Sequence, residues 1–103
     1  IEDTWRVLHI LFQTAVFYSA LDDIEASAVL CHYALNICSD NHVTYYLARA
    51  AIQLAKNAIK QAAPVHEILE LIHDARAYSK INRNKVALAE LKKMEESVKQ
   101  GEK

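Results

Sequence analysis

The sequence predicts an all-α domain of about five antiparallel helices, and three observations carry that expectation. The chain holds one Gly and one Pro in 103 residues. Sheets joined by tight turns draw on both, because Gly supplies positive φ and Pro pre-sets turn geometry. Apolar residues make up 52% of the chain and recur at three- and four-residue spacing, the period of a helix with one covered face. Short polar or proline-marked breaks near 22–23, 39–41, 63–64 and 79–84 divide this pattern into five segments. The length suits a single domain over 1–100 with a polar tail at 101–103. Two helical hairpins followed by a C-terminal capping helix form either a fragment of an α-solenoid or a closed bundle. Both architectures use the same helical periods.

The first helix is expected over about 3–20 and is apolar nearly all round, with Arg6, His9 and Gln13 in a narrow polar stripe beside the terminal Glu2. A helix with so thin a wet face is expected to be covered on most sides. Leu21-Asp22-Asp23-Ile24-Glu25-Ala26 reads as a stop followed by a start. Asp22 as N-cap with Glu25 three residues on fits a capping box, and Leu21 with Ala26 stands at staple spacing. The second helix then runs to about residue 38, with Ile24, Ala28, Cys31, Leu35 and Cys38 on one face.

Ser39-Asp40-Asn41 is expected to be a polar break that caps a third helix over about 42–62. Its predicted inner stripe is Val43, Leu47, Ala50, Leu54 and Ala58, and its wet stripe is Arg49, Gln53, Lys56 and Lys60. Pro64 suits the first turn of a fourth helix ending near 78, and it biases Ala63 out of helix. Residues 79–84 form the next loop, with Asn82 or Asn84 as cap. A narrowly amphipathic fifth helix follows over about 85–99, with Ala87, Leu91, Met94 and Val98 inward and Gly101 as its stop.

Charge and cysteine usage narrow the function classes. Residues 1–80 carry six Lys/Arg against nine Asp/Glu, and residues 81–103 carry six against four. Nucleic-acid binders need a basic surplus to displace phosphate counterions, so nucleic acid is not an expected partner. The apolar run 7–20 is too short for a membrane span and carries His9, Gln13, Thr14 and Ser19, so no membrane association is expected. Cys31 and Cys38 lie seven residues apart in one helix. That separation is ~10 Å, too far for a disulfide, and points to core thiols in a reducing compartment. The chain opens on Ile1 without a signal-peptide pattern, as expected of a piece of a longer intracellular protein, cytoplasmic or nuclear.

A shift of 41 residues lays the second helix on the fourth: Ile24 on Val65, Ala28 on Leu69, Leu30 on Leu71, Cys31 on Ile72, His32 on His73 and Ala34 on Ala75. Within this pattern Trp5-x-x-Leu8-His9-x-x-Phe12, then Ser27, Cys31, Ala34, Leu35 and Ile37, resemble the helix pair of the tetratricopeptide-repeat family. Asp22-Asp23-Ile24 stands where that family turns between helices. His9 replaces the usual Gly, the motifs lie about six residues further apart than in the usual unit, and Ser39 stands where the family has Pro. The second unit, Tyr45-x-x-Ala48-Arg49-x-x-Ile52, departs further. The resemblance implies an elongated helical-hairpin repeat whose first helices line a concave face.

No motif points to an enzyme or a cofactor. Glu70-x-x-His73 has the spacing of one half of a di-iron site, but no second copy exists. Cys31, Cys38 and His42 lack the close pairing of zinc ligands around a turn. One Gly at the tail excludes a Gly-rich phosphate loop. On the repeat reading, Arg6, His9, Gln13, Arg49, Gln53 and Lys56 would face a protein or peptide partner, and their charge suits an acidic one. Ordinary wet helix faces account for the same residues. The expected function is therefore non-enzymatic protein or peptide binding within a larger assembly. The alternative is self-association through an apolar helix face, with a helical metal protein or enzyme behind both.

Overall fold

Five helices build residues 2–41 and 43–101, the part of the chain described by the structure, a computed structural model. They are α1 (Glu2–Ala20), α2 (Ile24–Asn41), α3 (Thr44–Lys60), α4 (Val65–Ile81) and α5 (Lys85–Gly101). Among the described residues there is no strand, so the chain is all-α, as the sparse Gly and Pro predicted. No helix is long and apolar enough to cross a membrane among the described residues.

Three of the helices end in the same way. After α1, α3 and α4 the residues Asp22, Ala62 and Arg83 take φ of 63°, 54° and 55°, the left-handed region. The next amide then reaches back to a carbonyl one turn earlier: Asp23 to Tyr18 at 2.9 Å, Ala63 to Ala58 at 3.0 Å and Asn84 to Ser79 at 3.0 Å. This Schellman arrangement satisfies helix-end carbonyls and turns the chain back, here without glycine.

Several expected boundaries move. Asp22 is not the N-cap of α2, because its left-handed backbone belongs to the end of α1. Asp23 caps instead, its Oδ1 accepting from the Ala26 amide at 3.2 Å. Ser39-Asp40-Asn41 is the last turn of α2 rather than a break, and the Asn41 side chain donates to the Ile37 carbonyl at 2.9 Å. The expected start of α3 at His42 lies outside the described residues. Pro64 sits one position before α4, where its carbonyl accepts the Glu67 and Ile68 amides. Ser79 continues α4 instead of opening a loop, because its buried hydroxyl bonds back to the Ala75 carbonyl at 2.8 Å. Asn84, not Asn82, caps α5 through the Ala87 amide at 3.0 Å.

Each helix packs against the next in sequence, and α1 also packs against α3. The result measures 46 × 30 × 19 Å and holds two core clusters. One joins Leu8, Phe12 and Ala15 to Cys31, Ala34 and Cys38 and to Tyr46, Ala50 and Leu54. The other joins Ile52, Ala55 and Ala58 to Ile68, Ile72 and Ala75 and to Ala87 and Leu91. Both are seated on α3. Burying a side chain such as Leu8, Ile72 or Leu91 contributes about 1.5–3 kcal/mol each. The four buried positions of α4 (Ile68, Ile72, Ala75, Ser79) are four of the five of α2 (Ser27, Cys31, Ala34, Cys38) displaced by 41 residues; the fifth, Ile24, falls on half-buried Val65.

The most enclosed helix is α3, not α1. The Ala-rich surface of α3 lets neighbours approach closely, and from Ala50 to Ala58 only Lys56 is exposed. Gln53, expected in the wet stripe, is 7% exposed. Conversely, α1 buries only one stripe, and Ile10 (63%) and Phe17 (60%) face outward. With two neighbours, α1 has fewer sides covered than its composition led one to expect.

Candidate binding face

The turn chemistry places α1, α3 and α5 side by side, and their shared face carries a cleft of about 260 Å³. Arg49, Gln53 and Lys56 line it from α3, Phe12 from α1, and Val86, Ala87 and Glu90 from α5. Arg49 stands at its aromatic end. The guanidinium carbon lies 4.5 Å from the centroid of Phe12 and 5.4 Å from that of Tyr45, and Nη1 donates to the Tyr45 hydroxyl. Such stacking orients the cation and contributes about 0.5–1 kcal/mol where water has access.

Lys56 pairs with Glu90 of α5, Nζ to Oε1 at 3.3 Å, across the other end of the cleft. The pair is half exposed and is worth at most about 1 kcal/mol, so a competing carboxylate can displace it at little cost. Gln53 forms the inner wall. Its Nε2 donates to Asn57 Oδ1 at 3.0 Å, which commits the amide to the protein interior rather than to a partner.

A second, shallower depression adjoins on α1, lined by Trp5, Arg6, His9, Ile10 and Tyr46. His9 Nδ1 and the Tyr46 hydroxyl share a hydrogen bond of 3.0 Å. Trp5 meets Tyr46 edge-on at 5.3 Å and stacks on Tyr45 at 6.1 Å. Tyr45 and Tyr46 pack edge to face at 5.1 Å. A chain of aromatic contacts therefore runs from the exposed rings of Trp5 and Tyr45 to the buried rings of Tyr46 and Phe12, with Arg49 laid over Phe12 and Tyr45.

Of the six residues expected to face a partner, the cleft gathers Arg49, Gln53 and Lys56, and the neighbouring depression holds Arg6 and His9. Gln13 is exposed and lines neither. The aromatic wall was not anticipated as part of a site. Its signal was the Tyr45-Tyr46 doublet, which falls where the second unit should carry the counterpart of Trp5.

The other candidate groups lie apart from this face. Cys31 and Cys38 are free and buried, and burial pushes both thiols up to about 11 from 9.0. The Cys31–Cys38–His42 set includes a residue outside those described. Glu70 and His73 border a shallow depression of α4 with His66 and Asp74. Among the described residues no three His, Cys, Asp or Glu converge as metal ligands. No family model, curated protein or solved structure matches the chain.

Proposed function

We propose that the chain is a non-enzymatic binding module, a tetratricopeptide-like pair of helical hairpins, that takes a carboxylate-bearing peptide segment along the α1–α3–α5 face. The observation that carries this reading is Arg49, a cation stacked on Phe12 and Tyr45 at the mouth of an aromatic-walled cleft. Trp5 and Tyr45 offer rigid, accessible apolar area for an anchor side chain, and Arg49 offers charge-assisted donors for a carboxylate beside it. Opening of the Lys56–Glu90 pair supplies a second cation to the same ligand.

Trp5 is the sole tryptophan of the chain and lies on this face, so its emission is a built-in reporter. Titration with pools of acidic peptides is expected to change that emission saturably, with neutral pools of the same length giving no change. Arg49→Ala is expected to weaken binding about tenfold, the equivalent of ~1.4 kcal/mol. Arg6, Arg49 and Lys56 replaced together without effect on any ligand's affinity would overturn the reading.

A further inference from the structure

The outer side of the α1–α2 hairpin, away from α3, is an apolar face with no helix against it. Val7, Ile10, Thr14 and Phe17 fall on one stripe of α1, with Leu21 just past its end, at alternating three- and four-residue spacing, the pattern of a helix-pairing seam. On α2, Val29 and Tyr33 are also exposed (62% and 59%), Val29 bordering a depression with Tyr18, Asp23 and Glu25. No Asp, Glu, Lys or Arg occurs in 7–21 or in 26–39. The opposite end of the molecule differs: the outer surface of α5 carries Lys92, Lys93, Glu96 and Lys99.

We infer that this face pairs with the same face of a second copy, α1 antiparallel to α1 across a two-fold axis. Four features fit that occupant. First, the stripe complements itself over its middle: antiparallel pairing lays Phe17 against Val7 and Ile10 against Thr14, a larger side chain on a smaller one, and leaves Leu21 against Asp3 at the rim. Second, its one polar member, Thr14, already donates to the Ile10 carbonyl at 2.7 Å, so covering it strands no donor. Third, residues 7–21 carry no charge, so pairing buries no ion at the centre of the seam, and Asp3 falls at its exposed rim. Fourth, helices of 19 and 18 residues side by side span roughly 27 Å by 20 Å. That footprint, about 540 Å² per partner, is below the ~800 Å² of a standard interface and suits a weak, concentration-dependent dimer. Ile10 borders both this face and the Trp5–His9 depression, whereas Val7, Thr14 and Phe17 line neither that depression nor the Arg49 cleft, so the pairing does not depend on the cleft.

Sedimentation equilibrium of the 103-residue chain across about a hundredfold range of concentration tests the inference. The mass is expected to rise from 11.7 kDa toward twice that value. Ile10→Glu with Phe17→Glu is expected to weaken association by about a hundredfold or more, with the helical circular-dichroism spectrum retained. Both side chains are largely solvent-exposed, so these changes leave the core intact. Ile81→Glu, at the exposed end of α4, is expected to leave the association as it was. A mass fixed at 11.7 kDa throughout overturns the inference. So does a dimer that survives the α1 pair of changes, or one that Ile81→Glu dissolves.

Discussion

Asn57 of α3 donates from Nδ2 to the hydroxyl of Ser27 in α2 at 2.9 Å, inside a region where both side chains are buried. The same amide accepts at Oδ1 from Ser19 of α1 at 2.8 Å and from Gln53 at 3.0 Å. One side chain therefore ties three helices together, accepting from Ser19 and Gln53 and donating to Ser27. Asn57→Ala strands buried groups on three sides, and the expected loss is about 2–4 kcal/mol of unfolding free energy in urea. Ser27→Ala removes one bond and is expected to cost about 1 kcal/mol. Equal losses for the two changes would contradict the junction.

Ala62 holds a left-handed backbone at φ 54°, where a Cβ meets the following carbonyl. Ala62→Gly is expected to stabilise the fold by about 1 kcal/mol, raising Tm by several degrees. The same change at Ala77, exposed in the interior of α4, is expected to destabilise by about 1 kcal/mol. Opposite signs at two exposed alanines are the readout.

Burial holds the Cys31 and Cys38 thiols protonated up to about pH 11, against 9.0 for a free thiol. Between these values the folded chain binds more protons than the unfolded one, so stability falls as pH rises. Full stability from this source is present below about pH 9 and is lost toward 11. Replacing both cysteines with Ala is expected to flatten that slope. Ellman's reagent at pH 8 is expected to label the native chain no faster than it opens.

Glu95 accepts from Arg76, with Oε1 and Nη2 3.2 Å apart, and this contact holds its carboxyl below the ordinary range. A depressed carboxylate contributes above its unfolded pKa and stops contributing as pH falls through the folded value. Arg76→Ala is expected to return Glu95 to an ordinary carboxyl titration, followed by carbon-13 NMR. An unchanged midpoint would remove Arg76 as the cause.

The number and order of the helices were legible because helical periodicity and the scarcity of Gly and Pro act locally. Their ends were less so. Ser39, Asp40, Asn41 and Ser79 are side chains that favour loops, yet Asn41 and Ser79 are helical because each hydroxyl or amide finds a carbonyl one turn back. The candidate face was half visible. Arg49 and Lys56 could be placed by period alone, whereas Gln53 was assigned to solvent because a polar residue gives no local sign that Asn57 awaits it inside. The aromatic wall depends on α1 and α3 lying together, a contact that no single helix encodes. The covering of α1 was misjudged for the same reason, since composition states how apolar a helix is and not how many neighbours it has.

Chemical-shift mapping by nitrogen-15 NMR shows whether a ligand occupies the α1–α3–α5 face. An acidic peptide selected by Trp5 emission is titrated into the labelled chain. Shifts are expected to cluster at Trp5, Phe12, Tyr45, Arg49 and Lys56, with Val29 and Tyr33 of α2 unmoved. Shifts centred on α2 or α4, with the Arg49 cleft silent, would contradict binding on that face.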